Sequence, residues 1–168
     1  MRGLLAVILA VITLFLTVHS ACAQDGIAVD SAPPDSKAVA AIDTALGARI
    51  HQDIQHSQDL GFQSSTNIAD LTTAAWVRVD DGEPPYLFVI IISECGASDC
   101  YIIGLRPSKS GWVKVYEIFG GDGITLLDTK TNGHRDIEQD MSGVDGHYIA
   151  LTSHWAVDSY GKPSKAQH

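Results

Sequence analysis

The longest apolar run beyond the first 24 residues places the strongest constraint on the fold. Residues Tyr86–Ser93 read YLFVIIIS, between a DGEPP turn at Asp81–Pro85 and a short loop that holds two cysteines. A strand with one face in water alternates apolar and polar side chains, whereas this run stays apolar up to its last residue. The run therefore predicts a central strand that is covered on both faces.

One helix precedes this strand, and several strands follow it. Apolar residues recur at three- and four-residue steps over residues 36–55, which predicts an amphipathic helix that Ser36 caps. These apolar residues are Val39, Ile42, Leu46, Ile50 and Ile54. Short strands separated by Gly, Asp and Asn turns follow to residue 155. The expected fold class is α+β, with an N-terminal amphipathic helix packed on a six- to seven-stranded, mainly antiparallel sheet.

Residues 1–23 have the features of a secretory signal peptide. Arg2 is followed by a mostly apolar run, which is shorter than the roughly 20 residues of a membrane span, and by the small residues of a cleavage site. Cleavage after Ala23 is expected, which predicts a periplasmic or secreted protein. The alternative is a lipoprotein signal acylated at Cys22, although His19 stands where such signals usually have Leu.

The chain after the leader is long enough for one domain. Residues 24–35 are polar and contain two prolines, and they predict a flexible lead-in. Residues 36–160 are expected to form a single α+β domain. The last residues, 161–168, predict a disordered tail.

The charge of the mature chain limits its partners. Removing Arg2 from eleven basic residues leaves ten against twenty acidic ones, so the net charge is near −10. Nucleic-acid binding requires a basic patch, and none is present in the sequence. Anionic lipid surfaces are disfavoured for the same reason, and no stable membrane insertion is expected after signal cleavage. Most acidic surfaces simply keep a protein soluble, and the alternative is that this surface suits a basic protein partner in the bacterial envelope.

Cys95 and Cys100 are the two cysteines that remain after signal cleavage. Redox sites usually show Cys-x-x-Cys at the start of a helix, and structural zinc sites need four ligands, with further Cys or His at short spacings. Here four residues separate the cysteines, and strands are predicted on both sides. In an exported chain, this pattern predicts a disulfide that staples a hairpin.

Residues 128–139 resemble a degenerate calcium-binding loop. Asp128, Asn132 and Gly133 fill the first, fifth and sixth positions, but Lys130 stands at a ligand position and Gln139 replaces the final Glu. Asp136 at the ninth position would fit a shorter loop. Three alternatives remain open: an ordinary Asn-Gly hairpin turn, a loop in which Lys130 replaces the metal and pairs with Asp128 or Asp136, and a true calcium site.

These motifs together carry a family resemblance. The apolar strand, the cysteine hairpin, the Gly-Trp-Val strand, the Gly-Gly-Asp-Gly turn and Thr-Asn-Gly-x-x-Asp-Ile resemble a group of small exported bacterial proteins with FG-GAP-like β segments. A second Asp-Gly stretch, Val79–Glu83, precedes a strand in the same way. The resemblance spans Trp76 to Tyr148 and implies no catalytic residues.

The sequence favours a binding function over catalysis. It contains no nucleophile elbow, zinc-protease helix or phosphate-binding loop, and it indicates no cofactor. We expect an exported, non-catalytic binding module, such as an inhibitor or immunity-type protein against an envelope enzyme. Its predicted contact residues are Ser98, Asp99 and Asp122, at loop tips. The alternatives are an envelope hydrolase that uses carboxylates or His154, and a calcium-stabilised structural or adhesive domain.

Overall fold

The computed structural model describes residues 26–62, 65–96, 99–121, 123–142 and 147–165. The predicted signal peptide over residues 1–23, with Cys22, lies outside the described residues. The predicted contact residues Ser98 and Asp122 also lie outside them.

The described residues contain two α-helices and nine strands. In chain order, the elements are β1 (Gly26–Ala28), α1 (Ser36–Asp59), α2 (Ile68–Leu71), β2 (Thr72–Val77), β3 (Tyr86–Ile91), a 3₁₀ turn (Ile92–Glu94), β4 (Tyr101–Ser108), β5 (Gly111–Phe119), β6 (Thr125–Thr131), β7 (His134–Ser142), β8 (Tyr148–Ser153) and β9 (Ser164–Lys165). This mixture of helices and antiparallel strands agrees with the predicted α+β class.

The strands divide between two antiparallel sheets, which corrects the prediction of one sheet of six or seven strands. The first sheet has the order β2-β3-β4-β5, and the second has the order β1-β6-β7-β8-β9. The chain leaves the first sheet after β5 through Gly121, whose φ of 50° favours glycine. A helix can cover only one face of the apolar β3, so the other face needs a second sheet.

Strand β3 lies inside the first sheet and is covered on both faces, as its composition predicted. Leu87, Val89 and Ile91 pack towards α1 in one apolar cluster. Tyr86 and Phe88 pack towards the second sheet in another. The result is a three-layer arrangement of helix, four-stranded sheet and five-stranded sheet.

Helix α1 covers the outer face of the first sheet. Its buried residues are Ala38, Ala41, Ile42, Leu46, Gly47, Ile50 and Ile54. The N-cap is Asp35, not the predicted Ser36, because the Asp35 carboxylate accepts a hydrogen bond from Ala38 N at 2.7 Å.

Both ends of the described chain belong to the second sheet. Strand β1, in the predicted flexible lead-in, pairs with β6, and Ala32 forms a bridge with Ala74. Strand β9, in the predicted disordered tail, pairs with β8 at Leu151 and Thr152. The domain therefore extends beyond the predicted limits of residues 36–160 at both ends.

Candidate functional site

The predicted disulfide between Cys95 and Cys100 is confirmed, with an S–S distance of 2.08 Å. It closes the loop between β3 and β4, and this loop packs against the turn after β5. Cys100 N donates to Gly121 O and Gly120 N donates to Cys100 O, each at 3.1 Å. The staple therefore fixes two neighbouring loops and not only its own hairpin.

Asp99, one of the predicted contact residues, helps to join these loops. Its Oδ1 accepts a hydrogen bond from Gly121 N at 2.8 Å, and the residue is half-buried. This carboxylate oxygen therefore holds the β5–β6 turn in place.

Arg49 connects α1 to the same end of the first sheet. Its guanidinium donates to both carboxylate oxygens of Glu94, at 2.9 and 2.5 Å, and to Glu117 Oε1 at 2.5 Å. Burial raises the pKa of Glu94; the ion pair with Arg49 opposes this rise, and the nearby Asp53 adds to it. The network links the helix, the 3₁₀ turn and β5 through one side chain.

An acidic cleft of about 420 Å³ lies at the edge of the second sheet. Its described lining residues include three carboxylates and no basic side chain: Ala28, Val29, Asp30, Ser31, Gly123, Ile124, Thr125, Glu138 and Asp140. Val29 N donates to Ile124 O at 2.9 Å, which holds two of the wall segments together. Glu138 Oε2 is buried and has no hydrogen-bond partner among the described residues. The cleft therefore concentrates negative charge around an unused acceptor.

The calcium-like sequence forms an ordinary hairpin turn between β6 and β7. Asn132 and Gly133 have φ values of 54° and 90°, as a two-residue type I′ turn requires. The Asn132 side-chain amide also donates to Trp155 O at 3.0 Å. The first of the three alternatives therefore describes the backbone of this segment.

The charged residues of this segment face different partners. Asp128 pairs with Arg135 at 2.8 Å, and the buried Asp136 lies 3.0 Å from His154 Nδ1. The predicted pairing of Lys130 with Asp128 or Asp136 is corrected, because Lys130 Nζ instead lies 3.9 Å from Asp81. The carboxylates of the predicted loop do not converge on one point, because Asp128 pairs with Arg135 and Asp136 lies beside His154.

A second polar cluster forms where this turn meets the β2–β3 loop. His134 Nδ1 lies 2.5 Å from Asp80 Oδ2, and both side chains are largely buried. The Tyr86 hydroxyl donates to Glu83 Oε2 at 2.9 Å and lies 3.5 Å from His134 Nδ1. Trp155 stacks on the His134 imidazole with ring centres 3.9 Å apart and planes at 22°. These contacts fix the orientation of the imidazole and of the carboxylate opposite it.

The electrostatics of this cluster follow from its burial. Burial raises the pKa of Asp80, although the adjacent His134 opposes that rise. Burial also raises the pKa of Tyr86, and its hydrogen bond to Glu83 adds to the effect. The phenol therefore stays protonated and acts as a donor at neutral pH.

The sequence indicated parts of this polar cluster but not that they meet in the fold. Asp80 and Glu83 stood in the second Asp-Gly stretch, but His134 lacks a ligand-like spacing to other histidines. The cleft had a clearer signal, because Asp136, Glu138 and Asp140 alternate along β7, which puts their side chains on one face of the strand.

The chain matches no protein-family model, no curated protein and no solved structure. The resemblance to exported proteins with FG-GAP-like β segments therefore stays a prediction. Among the residues that the structure describes, no helix is both long and apolar enough to cross a membrane.

Proposed function

We propose that this protein is an exported, non-catalytic binding module that receives a basic side chain of a partner protein in its acidic cleft. Export rests on the predicted leader over residues 1–23, and the envelope is the expected compartment. An inhibitor or immunity-type role against an envelope enzyme fits this mode of binding. The observation that carries the proposal is the cleft, whose described lining residues include Asp30, Glu138 and Asp140 and no basic residue.

The chemistry of the cleft favours a cation. The Glu138 and Asp140 side chains share one face of β7, two residues apart, so their charges repel each other when the cleft is empty of counter-charge. At 4 Å and an effective dielectric constant of about 20, two opposite unit charges attract by about 4 kcal/mol. A lysine or arginine side chain that enters the cleft gains this attraction and relieves the repulsion.

The net charge of the whole mature chain acts in the same direction. An acidic surface steers a basic partner towards the cleft and raises the association rate, and salt screens this effect. Binding by this mode should therefore weaken as ionic strength rises.

The test compares two charge-matched variants of the oxidised mature protein. E138Q/D140N removes two cleft charges and keeps the side-chain shapes, whereas D59N/D158N removes two charges from exposed residues that do not line the cleft. Tagged proteins are incubated with envelope extract at two salt concentrations, and the affinity of any retained protein is then measured by titration.

The proposal expects one stoichiometric, salt-sensitive partner for the wild type and for D59N/D158N. The cleft variant should raise the Kd at least tenfold, equivalent to about 1.4 kcal/mol. Equal retention by all three proteins, or a partner that binds independently of salt, would show that the cleft does not provide the binding.

A further inference from the structure

We propose that Asp80, Glu83 and His134 form a binding site for a divalent transition-metal ion, with Zn²⁺ as the best-matched ion. One ligand atom from each residue, the imidazole nitrogen and two carboxylate oxygens, lies within 4.8 Å of the other two. This site is separate from the acidic cleft and does not depend on the proposed partner.

The donor set decides the class of metal. Calcium takes six to eight oxygen ligands, and an imidazole nitrogen is a poor substitute for one of them. One nitrogen and two carboxylate oxygens suit zinc, which binds such ligands at about 2.0–2.2 Å and leaves a fourth position for water. The Tyr86 hydroxyl donates to Glu83 Oε2 at 2.9 Å, so it lies beside the ligands and would be a hydrogen-bond partner for such a water.

An unused acceptor points to a cation at this place. Asp80 Oδ1 is buried and has no hydrogen-bond partner among the described residues, while Oδ2 of the same carboxylate faces His134. A buried carboxylate oxygen without a partner is costly, and a metal ion coordinated through Oδ1 would satisfy it. The orphan oxygen is independent of the three-residue grouping itself.

The three ligands have different freedom to adjust. Asp80 and His134 are largely buried, and the stack with Trp155 holds the plane of the imidazole. Tetrahedral zinc with bonds of about 2.1 Å holds its ligand atoms about 3.4 Å apart, so the 2.5 Å contact between His134 Nδ1 and Asp80 Oδ2 must lengthen when the ion binds. Glu83 is exposed and lies in the loop before β3, so it can move towards the ion. The stack with Trp155 thus orients the imidazole, while the two carboxylates adjust to the metal.

The surrounding charges leave the site attractive to a cation. Asp80, Asp81 and Glu83 supply three carboxylates on the β2–β3 loop. Lys130 lies 3.9 Å from Asp81, and the Arg106 guanidinium lies 5.4 Å from the centre of the Trp155 ring. With His134 neutral, as a metal ligand must be, these groups sum to a charge of −1 before the metal enters.

The experiment is a titration of the mature, oxidised protein with Zn²⁺ alone, in buffer free of phosphate and chelators, beside parallel titrations with Ca²⁺. Calorimetry gives the stoichiometry and Kd, and thermal unfolding gives the stabilisation. The proposal expects one equivalent of zinc, little response to calcium, and a Tm rise of about 5–10 °C when free zinc is 100 times the Kd.

Three variants locate the site. E83Q removes a ligand charge at an exposed residue and keeps an acceptor for Tyr86, so it should fold normally and weaken zinc binding at least tenfold. H134Q should abolish the stoichiometric binding. H154Q is the matched control, because His154 is exposed and pairs with Asp136 outside the cluster, so its zinc affinity should equal that of the wild type.

Two results would overturn the proposal. The first is the absence of stoichiometric zinc binding to the wild type. The second is zinc stabilisation that persists in both E83Q and H134Q, since the metal would then be held by other histidines on the surface.

Discussion

Gln139 is buried between the two sheets, where it links β5 to β7. Its Oε1 accepts a hydrogen bond from the Tyr116 hydroxyl at 2.9 Å, and its amide donates to Gly120 O. The side chain is 2% exposed, so each of these groups loses its water on folding. Deleting one partner should therefore leave the other buried and unsatisfied.

The magnitudes follow from counting the groups left without a partner. Y116F leaves one buried acceptor and should cost about 1–3 kcal/mol of unfolding free energy. Q139L leaves both the Tyr116 hydroxyl and the Gly120 carbonyl and should cost about 2–6 kcal/mol. The double variant leaves only the carbonyl, which is two unsatisfied groups fewer than the two single variants together. The sum of the two single losses should therefore exceed the loss in the double variant by about 2–3 kcal/mol.

Urea unfolding of the oxidised protein, followed by fluorescence, measures this coupling. The matched control replaces Y116F by Y160F, which deletes a hydroxyl that donates to Arg135 O and not to Gln139. The Y160F and Q139L losses should add to within about 0.5 kcal/mol. Equal additivity in both cycles would refute the view that Tyr116 and Gln139 satisfy each other in the core.

Two further predictions concern the end of the molecule near the disulfide. Burial tends to raise the pKa of Glu117, but hydrogen bonds from two basic side chains outweigh it and lower the pKa. Its ionised form therefore stabilises the fold above its unfolded pKa and loses that effect as pH falls through the lower folded value. E117Q should lower the unfolding free energy by up to about 1 kcal/mol at pH 7 and by nearly nothing at pH 2, and equal loss at both pH values would contradict this. The C95S/C100S double variant opens a six-residue loop and should lose about 2 kcal/mol in the chain-entropy model, measured by urea unfolding against the oxidised wild type.

The elements that could be predicted from the sequence depend on neighbouring residues. Strand β3 follows from its composition, helix α1 from its period, and the β6–β7 turn from Asn132-Gly133. The Cys95–Cys100 bond follows from the predicted leader and from the predicted strands on both sides. The first three signals each fit within about 25 residues, and none of the four requires knowledge of the packing partner.

The division into two sheets depended on contacts that the sequence does not display. Strict alternation along β5 would place Val115 and Tyr116 on opposite faces. The register instead shifts between Gly104 and Leu105 of β4, and both Val115 and Tyr116 enter the core between the sheets. Such a bulge bends the strand, and no local residue pattern predicted it.

The two candidate sites also differ in whether a local sequence pattern indicates them. The cleft charges Glu138 and Asp140 lie two residues apart on one strand, so period-two reasoning could have found them. Asp80 and His134 are 54 positions apart and meet only because the second sheet packs on the first. The local signals on the two loops, an Asp-Gly stretch and an Asn-Gly turn, predicted turns but gave no reason to join them.

Strand β7 carries both sites, and its length makes them separable. His134 begins the strand, whereas Glu138 and Asp140 lie four and six residues further along. At about 3.3 Å per residue, these separations are about 13 and 20 Å. Substitutions more than about 10 Å apart with no shared partner usually act additively. Loss of zinc binding in E83Q with the cleft affinity unchanged, or the converse in E138Q/D140N, can therefore be assigned to one site. A loss of both properties in a single variant would instead indicate damage to the β6–β7 hairpin that supports them.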